Sequence, residues 1–127
     1  MKLDHECVRD ILIYVEDTLG LKQFLTVEED VLPQYSVNDV VYAAEKLIEA
    51  GYLNGKIRNT MDQGSLPIVT IASLTWVGHS YLDNIRSNTV WEPTKSVIAK
   101  IGSASLGMAG QIASTIITQL ISKQMGL

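Results

Sequence analysis

Between Ser36 and Leu74 the spacing of apolar residues switches from a helical to an alternating period, and that single switch constrains the fold most. Val37, Val40, Val41, Ala44, Leu47 and Ile48 recur three and four residues apart, the buried stripe of a helix. Ser36 is placed to cap its start, and Gly51 to end it in the left-handed conformation of a C′ residue. Two runs of strand formers follow, 52–58 and 67–74, around the turn-rich segment 59–65 (NTMDQGS). Thr75 then opens another helix carrying Trp76, Val77, Tyr81, Leu82 and Ile85. Helix, hairpin with a long polar tip, helix: in that order these are the parts of a winged helix-turn-helix.

The flanking segments fit the same plan. Leu3, Val8, Ile11, Leu12, Val15 and Leu19 form a helical stripe, with Asp4 as N-cap and Gly20 as the stop. Residues 21–27 are rich in strand formers and predict a first small strand. Thr26 reads as the cap of a short helix, with Glu28 and Glu29 in its first turn and Pro33 beyond its end. Pro93 fits the first turn of a later helix, where its missing N–H costs nothing. The expected fold is α+β and mainly helical. A winged helix-turn-helix core with a two- to three-stranded antiparallel sheet occupies residues 1–91, and a C-terminal helical extension occupies 92–127.

Composition narrows the class. Hydrophobic residues make up 46% of the chain and charged residues 19%, a globular balance. Cys7 is the single cysteine, so no internal disulfide forms and a cytoplasmic location is expected. The opening MKLDHECVRD lacks the apolar centre of a signal peptide. Fourteen acids against ten bases give a net charge of −4, which counts against DNA, since phosphate neutralisation supplies most non-specific affinity. Residues 101–122 carry no charge, a length sufficient for a bilayer. Yet Gln111, Ser114, Thr115, Thr118 and Ser122 gather on one helical face, too polar a set for a span, so no membrane partner is expected. An amphipathic helix that packs on the core or on a second copy is the expectation. Ile112, Ile116 and Leu120 are its candidate oligomerisation residues, and Ser105, Ala109 and Ala113 permit close helix approach.

The string LTWVGHSYLDNIRSNTVW, residues 74–91, resembles the signature of the DUF2513 family, small proteins common in bacteria, their phages and prophages. The resemblance extends to the opening MKLDHECVRDILIYVED, the helix end LIEAGYLNG and the apolar tail. It implies a winged-helix-like domain of bacterial or phage origin. It brings no activity, substrate or catalytic residue to transfer.

Individual residues divide between site and scaffold. The outer side of the helix between Ser36 and Gly51 shows Asn38, Asp39, Tyr42, Glu45, Lys46 and Glu49, of which Asn38, Tyr42 and Lys46 suit nucleic acid while the carboxylates repel it. In the wing, Lys56 and Arg58 alternate outward around Ile57, and Asn59 adds a hydrogen-bonding group. The same cations also serve as ordinary edge-strand charges that discourage aggregation. Arg9 and Lys22 would enlarge this patch if they lay near it. His79 and Asp83, four apart on one helix, form a hydrogen-bonded pair more readily than a metal site, for which no further ligand cluster exists. Gly78 costs its helix about 1 kcal/mol and points to close packing against another element. Trp76, Tyr81 and Trp91 are expected to wedge the C-terminal segment onto the core. No GxxxxGK[ST], GxSxG or HExxH pattern occurs, so neither an enzyme nor a cofactor is expected. Two functions stand ahead of a third, a purely structural homo-oligomer. One is a small DNA-binding transcriptional regulator, dimeric through the tail. The other is a protein–protein interaction module, for a host or phage protein, on a winged-helix scaffold that has lost DNA binding.

Overall fold

The computed structural model describes residues 1–126 as an α+β fold, mostly helical, with a small three-stranded antiparallel sheet. Its elements are α1 (His5–Thr18), β1 (Leu25–Thr26), α2 (Val37–Glu49), β2 (Leu53–Arg58), β3 (Ile68–Leu74), α3 (Trp76–Ile85), α4 (Asn88–Ile101) and α5 (Leu106–Gln124). The chain forms two compact units, Met1–His79 and Ser80 onward, so α3 begins in the first and continues in the second.

In the first unit the sheet order is β1-β3-β2, with Leu25 opposite Ile71 and Lys56 opposite Thr70. A bulge between Asn54 and Gly55 shifts the β2–β3 register. Alternation then separates two faces. Leu53, Val69, Ile71 and Leu74 are buried on the inner one, against Val8, Ile11, Leu12 and Val15 of α1 and Val40, Val41, Ala44 and Leu47 of α2. Asp4 caps α1 as its side chain accepts from the Glu6 and Cys7 amides. Gly20 does not end α1 in the left-handed region. Leu19 turns extended instead, its N–H still bonded to Val15, and Gly20 serves the following turn.

The short helix expected after Thr26 does not form. Thr26 pairs with Thr70 in the sheet, and the Val27 N–H continues that pairing to Val69 C=O (2.9 Å), so the chain is still bound to β3 where the helix was expected to begin. Residues 28–35 make two successive turns, closed by Val31 N–H to Glu28 C=O at 3.1 Å and Tyr35 N–H to Leu32 C=O at 3.0 Å. A helix of so few residues does not recover its nucleation cost, and Leu32 precedes a proline, which disfavours the α region. Leu32 takes φ 55° and buries its side chain together with Val27 and Val31.

The end of α2 is locked to the start of α3. Gly51 at φ 82° lets the Tyr52 N–H reach back to Leu47 C=O (2.8 Å) and its own N–H to Ile48 C=O (3.1 Å), a Schellman closure. Thr75 fastens to the same two residues: its N–H donates to Tyr52 C=O (3.1 Å) and its hydroxyl to Gly51 C=O (2.6 Å). The Thr75 hydroxyl oxygen also accepts from the Gly78 N–H at 3.0 Å, capping α3. Gly78 lies directly on the Tyr52 carbonyl, where a Cβ would overlap the oxygen. The close packing expected of this glycine is present.

In the second unit α4 and α5 pack together and bury Val90, Trp91, Thr94, Ile98, Leu106, Ala109 and Ala113. Ala109 and Ala113 are fully buried, whereas Ser105, the first small residue of that spacing, is exposed as the N-cap of α5. Ser87 caps α4 five residues ahead of the expected start, so Pro93 lies inside the helix and not in its first turn. Tyr81 and Trp91 are buried, whereas Trp76 is 85% exposed and wedges nothing. No helix among the described residues is long and apolar enough to cross a membrane.

Candidate functional site

The outer face of the sheet is concave. Asn54, Gly55, Lys56 and Arg58 of β2, Ile68, Thr70 and Ala72 of β3, and Phe24 before β1 line a hollow of about 610 Å³. That volume lies within the range of small-ligand sites, about 300–1,000 Å³. Lys56 and Arg58 reach this face because both are exposed, alternate residues of β2. A second hollow of about 490 Å³ shares Phe24 and Ala72 with the first and adds Lys22 and the paired side chains of Glu16 and His79.

The turn between α1 and β1 sets the positions of Lys22 and Phe24. Gly20 N–H donates to the Gln23 side-chain oxygen at 2.7 Å, and Gln23 N–H returns to Gly20 C=O at 3.3 Å. Lys22 stands at the apex with φ 63°, a conformation that costs an L-residue about 1–2 kcal/mol. Phe24 follows at 71% exposure. Among the described residues, no carboxylate lies within ion-pair distance of Lys22, Lys56 or Arg58. Glu16 is the one acid lining either hollow, and its Oε2 lies 3.6 Å from His79 Nδ1. The expected His79–Asp83 pair is thus replaced: His79 faces Glu16, and Asp83 accepts from Arg86 at 3.1 Å. Lys22 lines the second hollow as the β2 cations Lys56 and Arg58 line the first, whereas Arg9 lines neither.

The candidates on α2 have a different environment. Lys46 donates to Glu49 at 2.9 Å and lies 3.7 Å from Glu45, and these partners, the Glu49 hydrogen bond first, hold its pKa above the ordinary lysine value. It also stands 5.4 Å from the centre of the Tyr42 ring. The Tyr42 hydroxyl donates to Met1 C=O at 3.2 Å, and Asn38 is exposed. None of the three lines the sheet hollows, so Lys56 and Arg58 are brought together without them. Asn59 is exposed at the start of the β2–β3 loop, which turns at Gly64 (φ 90°) with Ser65 N–H bonded to Asp62 C=O.

On α5, Ile112 and Ile116 are half-buried and line a groove of about 360 Å³ with Val97 and Ile101 of α4. Leu120, also half-buried, lines another with Val90, Ile117 and Ile121. No group of three or more His, Cys, Asp or Glu side chains among the described residues is arranged to hold a metal ion.

Sequence reasoning missed Phe24, Ile68 and Thr70 as lining residues. An aromatic residue in a strand-forming run ordinarily reads as core, and only the turn at Gly20–Gln23 decides that it faces out.

The family model described as "Hypothetical protein (DUF2513)" matches residues 2–105. A protein of Haemophilus influenzae, described as an uncharacterized protein, is 31% identical over 123 residues, covering 96% of this chain and all of the relative. No solved structure matches significantly. The chain belongs to the DUF2513 family.

Proposed function

We propose that this member of the DUF2513 family is a small regulator that binds nucleic acid through the outer face of its sheet and the adjoining wing. The observation that carries the reading is the group of three cations around the hollows, Lys22, Lys56 and Arg58, none ion-paired to a described carboxylate. Phosphate contacts supply affinity and register, so cations free of carboxylate partners are what such a surface requires. The sheet order β1-β3-β2, with an exposed hairpin tip after β2, supports a winged-helix reading in which turns replace the second helix. In that reading the wing, and not α2, meets the phosphates, because Lys46 is already neutralised by Glu45 and Glu49.

The test is anisotropy of labelled duplex DNA at low salt, followed by a salt titration. The reading predicts binding that weakens steeply as salt rises. Absence of binding to any duplex or unpaired strand at low salt contradicts it.

The neutralised, acid-rich face of α2 favours a second reading, a protein-interaction module on the same scaffold. It predicts a co-purifying protein and no salt-sensitive affinity for nucleic acid. Dimerisation through Ile112, Ile116 and Leu120 is compatible with either reading, and sedimentation would show it as twice the monomer mass.

A further inference from the structure

We infer that the outer sheet face takes an unpaired nucleotide strand, one base stacking on Phe24 and the flanking phosphates meeting Lys56, Arg58 and Lys22. The inference rests on the nucleic-acid reading above and specifies its ligand.

Phe24 is the single phenylalanine of the chain, and it is 71% exposed. It stands beside a sheet whose outward residues in the hollow are apolar or small along β3 (Ile68, Thr70 and Ala72) and cationic along β2. The hollow thus joins an apolar floor, an aromatic wall and a cationic rim. A duplex backbone offers phosphates to the rim and nothing to the floor, because its bases remain stacked within the helix. An unpaired strand offers both, since every base has a π-face and every linkage a phosphate. An acidic peptide would satisfy the cations without an aromatic plane for Phe24. Asn54, whose amide nitrogen donates to Ser73 Oγ at 3.0 Å, and Thr70 add hydrogen-bonding groups to the hollow's lining, which suits base edges left unpaired. The second hollow continues past the shared Phe24 and Ala72 to Lys22, giving the strand a path with a cation on each side of the aromatic ring. The turn that holds Lys22 at φ 63° keeps that cation beside the path.

The experiment measures binding of a labelled oligothymidylate and of a duplex of equal length to the intact protein and to Phe24→Ala and Phe24→Trp. Wild type is expected to bind the single strand more tightly than the duplex. Phe24→Ala is expected to weaken single-strand binding roughly 5- to 160-fold, the range for one lost base stack, with less than about twofold change for duplex. Phe24→Trp should keep the single-strand affinity, since tryptophan restores the ring. A thermal melt of each variant, unchanged at so exposed a position, separates these effects from misfolding. Salt-sensitive duplex binding with no single-strand preference, or single-strand affinity unaltered in Phe24→Ala, overturns the inference and leaves the phosphate reading standing. Failure to bind either probe overturns both. Displacement of the oligonucleotide by polyglutamate at equal charge concentration assigns the face to an acidic peptide and overturns the inference as well.

Discussion

Replacing Gly78 with alanine tests the joint that holds α3 to the end of α2. A glycine inside an unobstructed helix costs about 1 kcal/mol relative to alanine, so the substitution would stabilise α3 by that amount if space were open. Space is not open: the added Cβ would overlap the Tyr52 carbonyl oxygen. The obstacle is backbone, and it cannot swing aside. Tyr52 is held by its N–H on Leu47 C=O at 2.8 Å and by the Thr75 N–H on its own oxygen at 3.1 Å. Overpacking of this kind costs about 1–3 kcal/mol, and a broken Thr75–Tyr52 hydrogen bond adds about 1 kcal/mol. Offset by the propensity gain, the net destabilisation is about 1–3 kcal/mol. Urea unfolding followed by far-UV circular dichroism should show a lower midpoint at unchanged slope. Gly110→Ala provides the opposite sign, since its Cβ would meet the Tyr81 ring at an ordinary 3.6 Å, and it should stabilise by up to about 1 kcal/mol. A Gly78→Ala midpoint at or above wild type would refute the clasp between Gly51–Tyr52 and Thr75–Gly78.

Burial, and then the charge of Asp4, push the Cys7 thiol from 9.0 up to about 12. The unfolded thiol ionises first, so the unfolded state binds fewer protons above pH 9.0 and stability falls as pH climbs toward 12. Alkaline denaturation should therefore begin at higher pH in Cys7→Ala, once its lower neutral-pH stability is subtracted, and native Cys7 should resist thiol reagents that label the unfolded chain. Pro93 lies exposed inside α4, where it removes a hydrogen bond from the helix ladder. Pro93→Ala is expected to raise stability by about 1–3 kcal/mol in the same urea assay, and no gain would show that the proline costs α4 nothing in its native packing.

The parts of the fold legible in the sequence are those fixed by local chemistry. Ser36 and Gly51 mark both ends of α2, Asp4 caps α1 and Thr75 caps α3, because each cap is a short-range hydrogen bond or a φ that its residue type favours. Segment 26–35 failed where a tertiary claim won: pairing of Thr26 with Thr70 and of the Val27 N–H with Val69 keeps the chain on β3 where the helix was expected to start. His79 failed for a similar reason, since its partner Glu16 comes from another helix and not from the neighbouring turn. Of the candidate site, Lys56 and Arg58 were legible from strand alternation. That Lys22 and Phe24 join them depends on where a four-residue turn aims two side chains, which no periodicity records. The neutralisation of Lys46 was only half visible, as three acids to one base on the outer side of α2.

The most direct test of nucleic-acid binding by the sheet face is the salt dependence of duplex affinity for wild type, Lys56→Ala/Arg58→Ala and Lys46→Ala. Each lost phosphate contact lowers the slope of log affinity against log salt by about 0.9, so the double variant should lose about 2 from the slope. Lys46→Ala should bind as wild type does, its charge being already matched by Glu45 and Glu49. An unchanged slope in Lys56→Ala/Arg58→Ala, or the loss appearing in Lys46→Ala instead, would contradict the assignment.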